Sequence, residues 1–152
     1  MAKIRIVTDS ASDMPYDYRK DVTVVPLHVR FGTEEYLDGV NLSHREFYEK
    51  LIENDELPTT SQVAPYAFEE AFDKAKQAGE QVIVITISGK LSGTYQSACI
   101  AAADYEDMVQ VIDSENVTVG ERALVEYAIR LMDNGADVQT IVDTINSEKK
   151  NI

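Results

Sequence analysis

Residues 81–87 have the sequence Gln-Val-Ile-Val-Ile-Thr-Ile, a run that is almost entirely apolar and rich in β-branched side chains. A run without polar alternation is typical of a strand that is buried on both faces, as in the centre of a parallel sheet. The polar segment 88–94 follows, and small residues from there to Ala103 predict a helix. This order of strand, turn and helix indicates an α/β fold.

Outward from this strand, elements of the same two kinds alternate along the chain. Apolar runs predict strands at 4–7, 22–25 and 109–112, with 27–31 extending the second of these beyond a break at Pro26 towards a turn at Gly32-Thr33. Apolar residues at helical spacing predict helices from Ser43 to about Asn54, from Pro65 to Gly79, from about Val119 to Asn134, and after Asp137, which caps the last one. We therefore expect an α/β fold with a parallel sheet and helices on both faces.

Three local features complete this outline. A hairpin is expected around Asp38-Gly39, and residues 58–62 are expected to form a loop between two helices. Ser43 and Glu46 have the spacing of a capping box, which marks a helix start. No internal repeat divides the chain, so a single domain is expected.

The composition excludes several classes of protein. The 152-residue chain carries 27 acidic and 14 basic residues, a formal charge of −13, and 44% of its residues are hydrophobic. That length and apolar content suit one domain with a sizeable core. Such an acidic protein lacks the basic surface that nucleic acid or anionic lipid headgroups require.

Cysteine content and the lengths of apolar runs bear on the compartment. The single cysteine, Cys99, cannot form an internal disulfide and is expected to be a small buried apolar residue. The amino-terminal residues turn polar too soon for a signal peptide, and the apolar run at 82–87 is too short to span a membrane. We therefore expect a soluble, cytoplasmic protein that does not insert into membranes.

Small polar residues follow three of the predicted strands. They are Asp9-Ser10, residues 88–92 and Asp113-Ser114. The carboxyl ends of parallel strands share one edge of the sheet, and ligands bind at that edge. We therefore expect these residues to gather at a ligand site.

Two segments offer neutral hydrogen-bond donors for such a site. Ser92 and Gly93 lie where a strand passes into a helix, and the unpaired amides of a helix start can bind an anionic oxygen. Residues 58–62, Pro-Thr-Thr-Ser-Gln, offer consecutive hydroxyl groups. In the alternative interpretation, the hydroxyls only cap helices and Gly93 only permits a tight turn. As a binding site, neutral donors suit a carboxylate on an apolar tail better than a phosphate, which usually needs Arg or Lys.

Motifs for nucleophilic and phosphate chemistry do not fit. Residues 89–93, Gly-Lys-Leu-Ser-Gly, are one position out of register for a nucleophile elbow and lack the glycine that a phosphate-binding loop requires. His28 and His44 are expected to be structural or surface residues rather than general bases or metal ligands. We therefore expect a protein that is not an enzyme.

Carboxylates at the strand ends raise the question of a metal. Asp9, Asp13 and Asp113 could share a magnesium site, but carboxylates at strand ends cap helices more often than they bind this ion. We therefore expect no metal and no cofactor.

Six motifs occur in an order that resembles a known family. They are residues 4–13 (Ile-Arg-Ile-Val-Thr-Asp-Ser-Ala-Ser-Asp), 25–27 (Val-Pro-Leu), 36–40 (Tyr-Leu-Asp-Gly-Val), 58–62 (Pro-Thr-Thr-Ser-Gln), 91–95 (Leu-Ser-Gly-Thr-Tyr) and 111–114 (Val-Ile-Asp-Ser). Each motif alone is weakly specific. Together they cover nearly the whole chain, which resembles the DegV family of bacterial fatty-acid-binding proteins.

The resemblance implies a function and two binding residues. Such a carrier holds one long-chain fatty acid in an apolar tunnel in the cytoplasm and presents its carboxylate to a separate fatty-acid kinase, a step in phospholipid metabolism. The carrier itself performs no phosphoryl transfer. In the family, the carboxylate is held by the last threonine of the Thr-Thr-Ser-Gln loop and by the serine of the Leu-Ser-Gly-Thr motif, which correspond to Thr60 and Ser92. We add Ser61 and the Gly93 amide as further candidates.

The chain departs from the family pattern in length and in one motif. Family members are generally about twice as long and have a second domain, which closes the tunnel and adds polar residues near the carboxylate. Residues 1–152 are therefore expected to form a single DegV-like amino-terminal domain, either a fragment or a naturally short homologue. Residues 63–65, Val-Ala-Pro, replace the commoner Pro-Ser-Pro.

Two other functions stay open on the sequence. The first is a phosphocarrier or kinase-like domain of the same superfold, which would use a histidine covalently. The second is an interaction domain without a ligand, in which Thr60 and Ser92 only cap helices.

Overall fold

A four-stranded parallel sheet forms the centre of the molecule in the computed structural model, which describes residues 3–40, 42–53 and 57–152. In spatial order its strands are β2 (Val22–Val25), β1 (Lys3–Asp9), β6 (Glu80–Thr86) and β7 (Val109–Asp113). β6 pairs in parallel with both β1 and β7, and its last five residues are buried, which confirms the prediction from residues 81–87. The strand order reverses between β1 and β6, and in such sheets the crevice at this reversal is where ligands bind.

Helices cover both faces of this sheet, as expected. They are α2 (Pro65–Gln77), α3 (Thr94–Ala102), α4 (Val119–Asp133) and α5 (Val138–Glu148), whereas α1 (His44–Glu53) packs through Phe47 against Phe31 of a second sheet. α2 and α3 pack on one face, where the rings of Phe68 and Phe72 are fully buried and stacked 6.1 Å apart. α4 and α5 pack on the other face through Leu124 and Ile141. Two apolar clusters on opposite faces of the sheet therefore form the core.

A second sheet contains three short antiparallel strands. Its order is β4 (Glu34–Leu37), β3 (His28–Phe31) and β5 (Thr59–Ser61). Pro26 separates β2 from β3, so residues 27–31 do not extend β2 but start a different sheet. Since proline lacks a backbone N–H, it is a natural point for the chain to leave the parallel sheet.

The predicted hairpin around Asp38-Gly39 is wrong in position. The hairpin turns at Gly32-Thr33, which confirms the turn predicted there, and the pairing of Phe31 with Glu34 leaves only two residues between the strands. Gly32 takes a positive φ of 62° there, a conformation that glycine adopts without strain.

The predicted loop at 58–62 is also partly a strand. Residues 59–61 form β5 at the edge of the small sheet, where Thr60 pairs with Val29. All three β5 residues are exposed, so they lack the apolar alternation that predicts a strand from sequence.

The predicted capping groups occupy their expected places. The Ser43 hydroxyl accepts a hydrogen bond from the Glu46 amide at 3.2 Å, and the Ser43 amide donates to the Glu46 carboxylate at 3.4 Å. Asp137 caps α5 by accepting from the Thr140 amide at 2.8 Å. The predicted end of the first helix, at Asn54, lies outside the described residues.

Cys99 is only partly buried, which corrects the expectation of a buried residue. On α3 its neighbours Ala98 and Ala101 face the sheet and are fully buried, so Cys99 lies at the margin of the contact. Within the described ranges, no helix is both long and apolar enough to cross a membrane.

Candidate functional site

A pocket of about 430 Å³ lies beyond the carboxyl ends of β2 and β6, where Leu27 and Ile87 follow those strands. It brings together the two segments that the sequence singled out, and all four candidate residues line it. The lining residues are Leu27, Thr60, Ser61, Gln62, Ile87, Leu91, Ser92 and Gly93. The side of the pocket that carries hydroxyls comes from β5 and the segment before α3, and buried Leu27 and Ile87 supply apolar surface.

Thr60 and Ser61 reach the pocket because β5 is an edge strand. Thr60 pairs with Val29 of β3, and the other edge of β5 is not paired within the sheet. Both residues are exposed, and neither hydroxyl has a protein hydrogen-bond partner in the part of the chain that the structure describes. Their hydroxyls are therefore available to a ligand.

Buried hydroxyl groups of α3 fix the position of the chain that follows β5. The Val63 amide donates to the Thr94 hydroxyl at 3.2 Å, and the Gln62 side-chain amide donates to the Ser97 hydroxyl at 3.3 Å. Val63 and Thr94 are fully buried, and Ser97 is 1% exposed. The two donor segments of the pocket are thus joined by two hydrogen bonds, of which the one between Val63 and Thr94 is buried and therefore stronger.

Ser92 has two contacts with the first residue of α3. Its hydroxyl oxygen accepts from the Thr94 amide at 3.2 Å and lies 2.9 Å from the Thr94 hydroxyl. The Thr94 oxygen already accepts from Val63, so donating its own proton to Ser92 satisfies both groups. In that arrangement the Ser92 proton is free to donate into the pocket. The capping role that the sequence left open is therefore compatible with ligand binding.

Gly93 matters because the Gln62 side chain lies very close to its backbone, and not because the chain makes a tight turn there. Its φ is −75°, which other residues also adopt. A Cβ atom at this position would lie only 1.9 Å from the Gln62 side-chain oxygen. The absence of a side chain therefore lets Gln62 pack against the start of α3.

The strand-end carboxylates bind backbone amides of the site. Asp9 accepts hydrogen bonds from the Ile87 amide at 2.7 Å and the Ala11 amide at 3.0 Å. Asp113 accepts from the Gly89 amide at 3.1 Å and the Glu115 amide at 2.9 Å. Across the described residues, no three His, Cys, Asp or Glu side chains are grouped to hold a metal ion.

Glu121 is a buried acid that the sequence reasoning missed. It lies in the first turn of α4, where it accepts from the Thr8 hydroxyl at 3.1 Å, and its other oxygen has no partner among the described residues. Burial, together with the neighbouring Asp9 carboxylate, raises the pKa of Glu121 to about 11, and burial also raises the pKa of Asp9. A signal existed: Glu121 lies three residues before Leu124, on the apolar stripe of its helix.

Neither histidine lines the pocket. His28 opens β3, with its Nδ1 atom 2.9 Å from a Glu35 carboxylate oxygen, and His44 is exposed at the start of α1. A larger cavity of about 460 Å³ lies between β2 and α2 and reaches Val25 and Pro26 at the carboxyl end of β2, but none of the four candidate donors lines it. Its Arg5 is already paired with Glu80 at 2.8 Å. The strand-end pocket is therefore the better candidate for a ligand.

Comparisons with known proteins agree with the six motifs. The family model described as DegV, an uncharacterised protein family, matches residues 3–152. A DegV domain-containing protein of Clostridium perfringens is 39% identical over 100% of this chain and 56% of its own length.

Two solved structures share the fold at similar coverage. A fatty-acid-binding DegV family protein of Thermus thermophilus is 34% identical, with a TM-score of 0.88 over 97% of this chain and 54% of its own. A stearic-acid-binding protein of Eubacterium ventriosum is 32% identical, with a TM-score of 0.83 over 96% of this chain and 52% of its own length. The chain spans about half the length of these relatives. It belongs to the DegV family.

Proposed function

We propose that the strand-end pocket binds the carboxylate of a long-chain fatty acid. The observation that carries this proposal is the meeting of Thr60 and Ser92, from separate segments, around one pocket that also has apolar walls. Relatives with the same fold are fatty-acid-binding proteins, one of them a stearic-acid-binding protein. The carboxylate of a fatty acid would accept hydrogen bonds from the hydroxyls of the lining, and its acyl tail would pack along the apolar residues.

Four groups are the proposed hydrogen-bond donors. The hydroxyls of Thr60 and Ser92 are the principal ones, and the Ser61 hydroxyl and the Gly93 amide are the additional ones. A hydrogen bond to a charged group contributes about 1.5–3 kcal/mol. Two such bonds to the carboxylate should therefore favour an acid over an ester or an alcohol.

The pocket's lack of positive charge supports a carboxylate over a phosphate. None of its eight lining residues is Arg, Lys or His. A phosphate group carries more charge and is usually bound by Arg or Lys. Leu91, 64% exposed at the mouth, offers a surface along which an acyl chain can leave the donors.

The role of the whole protein is a wider proposal. We infer a non-catalytic carrier in the cytoplasm that needs no cofactor and presents the bound carboxylate to a fatty-acid kinase. The pocket supports this because its hydroxyls can hold a carboxylate while none of its lining residues is a general base of the His, Asp or Glu type. The relatives are about twice as long, so the remainder of such a protein would complete the enclosure of the acyl chain.

Alanine substitutions test the donors directly. Thr60→Ala and Ser92→Ala should each weaken palmitate binding about 10-fold to 100-fold, as loss of a charge-assisted hydrogen bond predicts. Thr59→Ala is the matched control, because Thr59 lies on the same exposed strand but does not line the pocket. Isothermal titration with palmitate measures the affinity, and thermal melting checks that each variant is folded. Unchanged affinity in both variants would contradict the proposal.

A further inference from the structure

Hydrogen bonds to Asp9, the last residue of β1, and to Ser10, the next residue, fix the apolar wall of the pocket. The Asp9 carboxylate accepts from the Ile87 amide at 2.7 Å, and the Ser10 hydroxyl accepts from the Leu27 amide at 2.9 Å. Leu27 and Ile87 are each only 8% exposed and both line the pocket. Two adjacent residues therefore fix two wall residues that come from distant parts of the chain.

We propose that Asp9 and Ser10 are positioning residues for the ligand pocket, which act by fixing the backbone of Ile87 and Leu27. This inference rests on the proposed function of the pocket. Neither Asp9 nor Ser10 lines the pocket, so their effect on a ligand passes through the wall.

The surroundings of Asp9 explain why its contacts are important. Asp9 is fully buried, and its hydrogen-bond donors are the amides of Ile87 and Ala11. The titratable groups that face it are Glu121 from α4 and Tyr16 from the segment after β1, and both are acidic. A buried carboxylate without a cation is stabilised by the groups that interact with it as donors, here the Glu121 side chain and the amides of Ile87 and Ala11. Asp9 therefore holds Ile87 firmly, because moving away would leave both partners unsatisfied.

Glu121 completes this arrangement by remaining uncharged. The raised pKa of Glu121, about 11, keeps this side chain protonated at neutral pH, so it adds no second negative charge beside Asp9. The second charge would repel Asp9 from its place beside the wall.

A matched pair of serine variants tests the inference. Ser10 and Ser12 belong to the same short 3₁₀ helix, both are buried, and each hydroxyl accepts a hydrogen bond from one backbone amide. The Ser12 hydroxyl also donates to the backbone carbonyl of Asp9 at 2.8 Å. Ser10 binds the Leu27 amide of the wall, whereas Ser12 binds the Met14 amide, which is outside the pocket lining. Ser10→Ala should weaken palmitate binding about tenfold, and Ser12→Ala, which keeps the bonds to the Leu27 and Ile87 amides, should weaken it clearly less at a similar loss of stability.

Asp9→Asn provides a second, independent test. Asn has one acceptor oxygen where Asp has two, so hydrogen exchange at the Ile87 or Ala11 amide should accelerate about tenfold and palmitate affinity should fall. Asp137→Asn, at the cap of α5, is the control. It should change neither the hydrogen exchange of the Ile87 and Ala11 amides nor the affinity for palmitate.

The readouts separate this inference from the proposed function. If Ser10→Ala and Ser12→Ala bind palmitate equally well, or Leu27 and Ile87 exchange as in the wild type, the positioning role is wrong. If the wild-type chain binds no palmitate, the proposed function fails for this chain. Amide exchange at Leu27 and Ile87 in the ligand-free variants then still decides whether Ser10 and Asp9 fix the wall.

Discussion

At the scale of single residues, Glu121 makes stability depend on pH. Its pKa is raised from 4.5 to about 11 in the folded state, so the folded chain holds a proton at neutral pH that the unfolded chain has released. The stabilising contribution of this raised pKa is full below about pH 4.5 and is lost progressively as the pH rises towards 11. The slope approaches about 1.4 kcal/mol per pH unit at most.

Glu121→Gln should remove this dependence. The amide has the shape of the acid and no proton to lose, so the variant should be more stable than the wild type by at least about 1 kcal/mol at pH 8.5. The difference should shrink as the pH falls to 5.5. Urea unfolding at several pH values measures it. Glu126→Gln, on the same helix but partly exposed, is the control and should follow the wild type.

Gly93 allows a second prediction at this scale. In Gly93→Ala the new Cβ must displace the Gln62 side chain and break its 3.3 Å bond to Ser97. Gln62 is exposed, so the loss of stability should stay below about 1 kcal/mol, whereas palmitate binding should weaken because the pocket lining moves. Adding Gln62→Ala removes the collision and should restore part of the affinity. A double variant as weak as Gly93→Ala alone would show that the Gln62 collision is not the cause.

At the scale of elements, β5 depends on a buried hydroxyl of α3. Thr94→Val keeps the side-chain shape but leaves the buried Val63 amide without its acceptor, which should cost about 1–3 kcal/mol of stability. Thr94→Ser keeps the hydroxyl and should cost less. Urea unfolding gives the stability, and hydrogen exchange at 59–61 should accelerate in the valine variant. If serine and valine destabilise equally, the hydroxyl is not the tie between the two elements.

The same elements show what a sequence can predict. The parallel sheet was predictable because residues 81–87 are apolar on both faces and helices with apolar stripes flank them. β5 was not predictable from the sequence, because its three exposed polar residues do not alternate between apolar and polar. Its pairing with β3 depends on tertiary contacts. Thr60 and Ser92 were identified from their motifs, whereas Asp9 and Ser10 were recognised only as strand-end residues. Their bonds to Ile87 and Leu27 join segments that no local pattern connects.

At the scale of the whole molecule, the net charge of the chain has the same sign as the charge of the proposed ligand. The chain carries a formal charge of −13, yet the proposed ligand is an anion and no lining residue of the pocket is cationic. Long-range repulsion should therefore weaken binding at low salt, and screening should relieve it, since the Debye length falls from about 30 Å at 0.01 M salt to about 10 Å at 0.1 M.

Palmitate affinity should therefore rise about twofold or more between 0.01 M and 0.1 M NaCl. An anion held by Arg or Lys shows the opposite trend, because salt screens that attraction. Salt also strengthens the burial of an acyl chain, so methyl palmitate, which has the same tail and no charge, is measured alongside as the control. The rise for palmitate should exceed the rise for the ester. If affinity for palmitate falls with salt instead, a positive charge holds the carboxylate, and the proposal that neutral donors alone bind it is wrong.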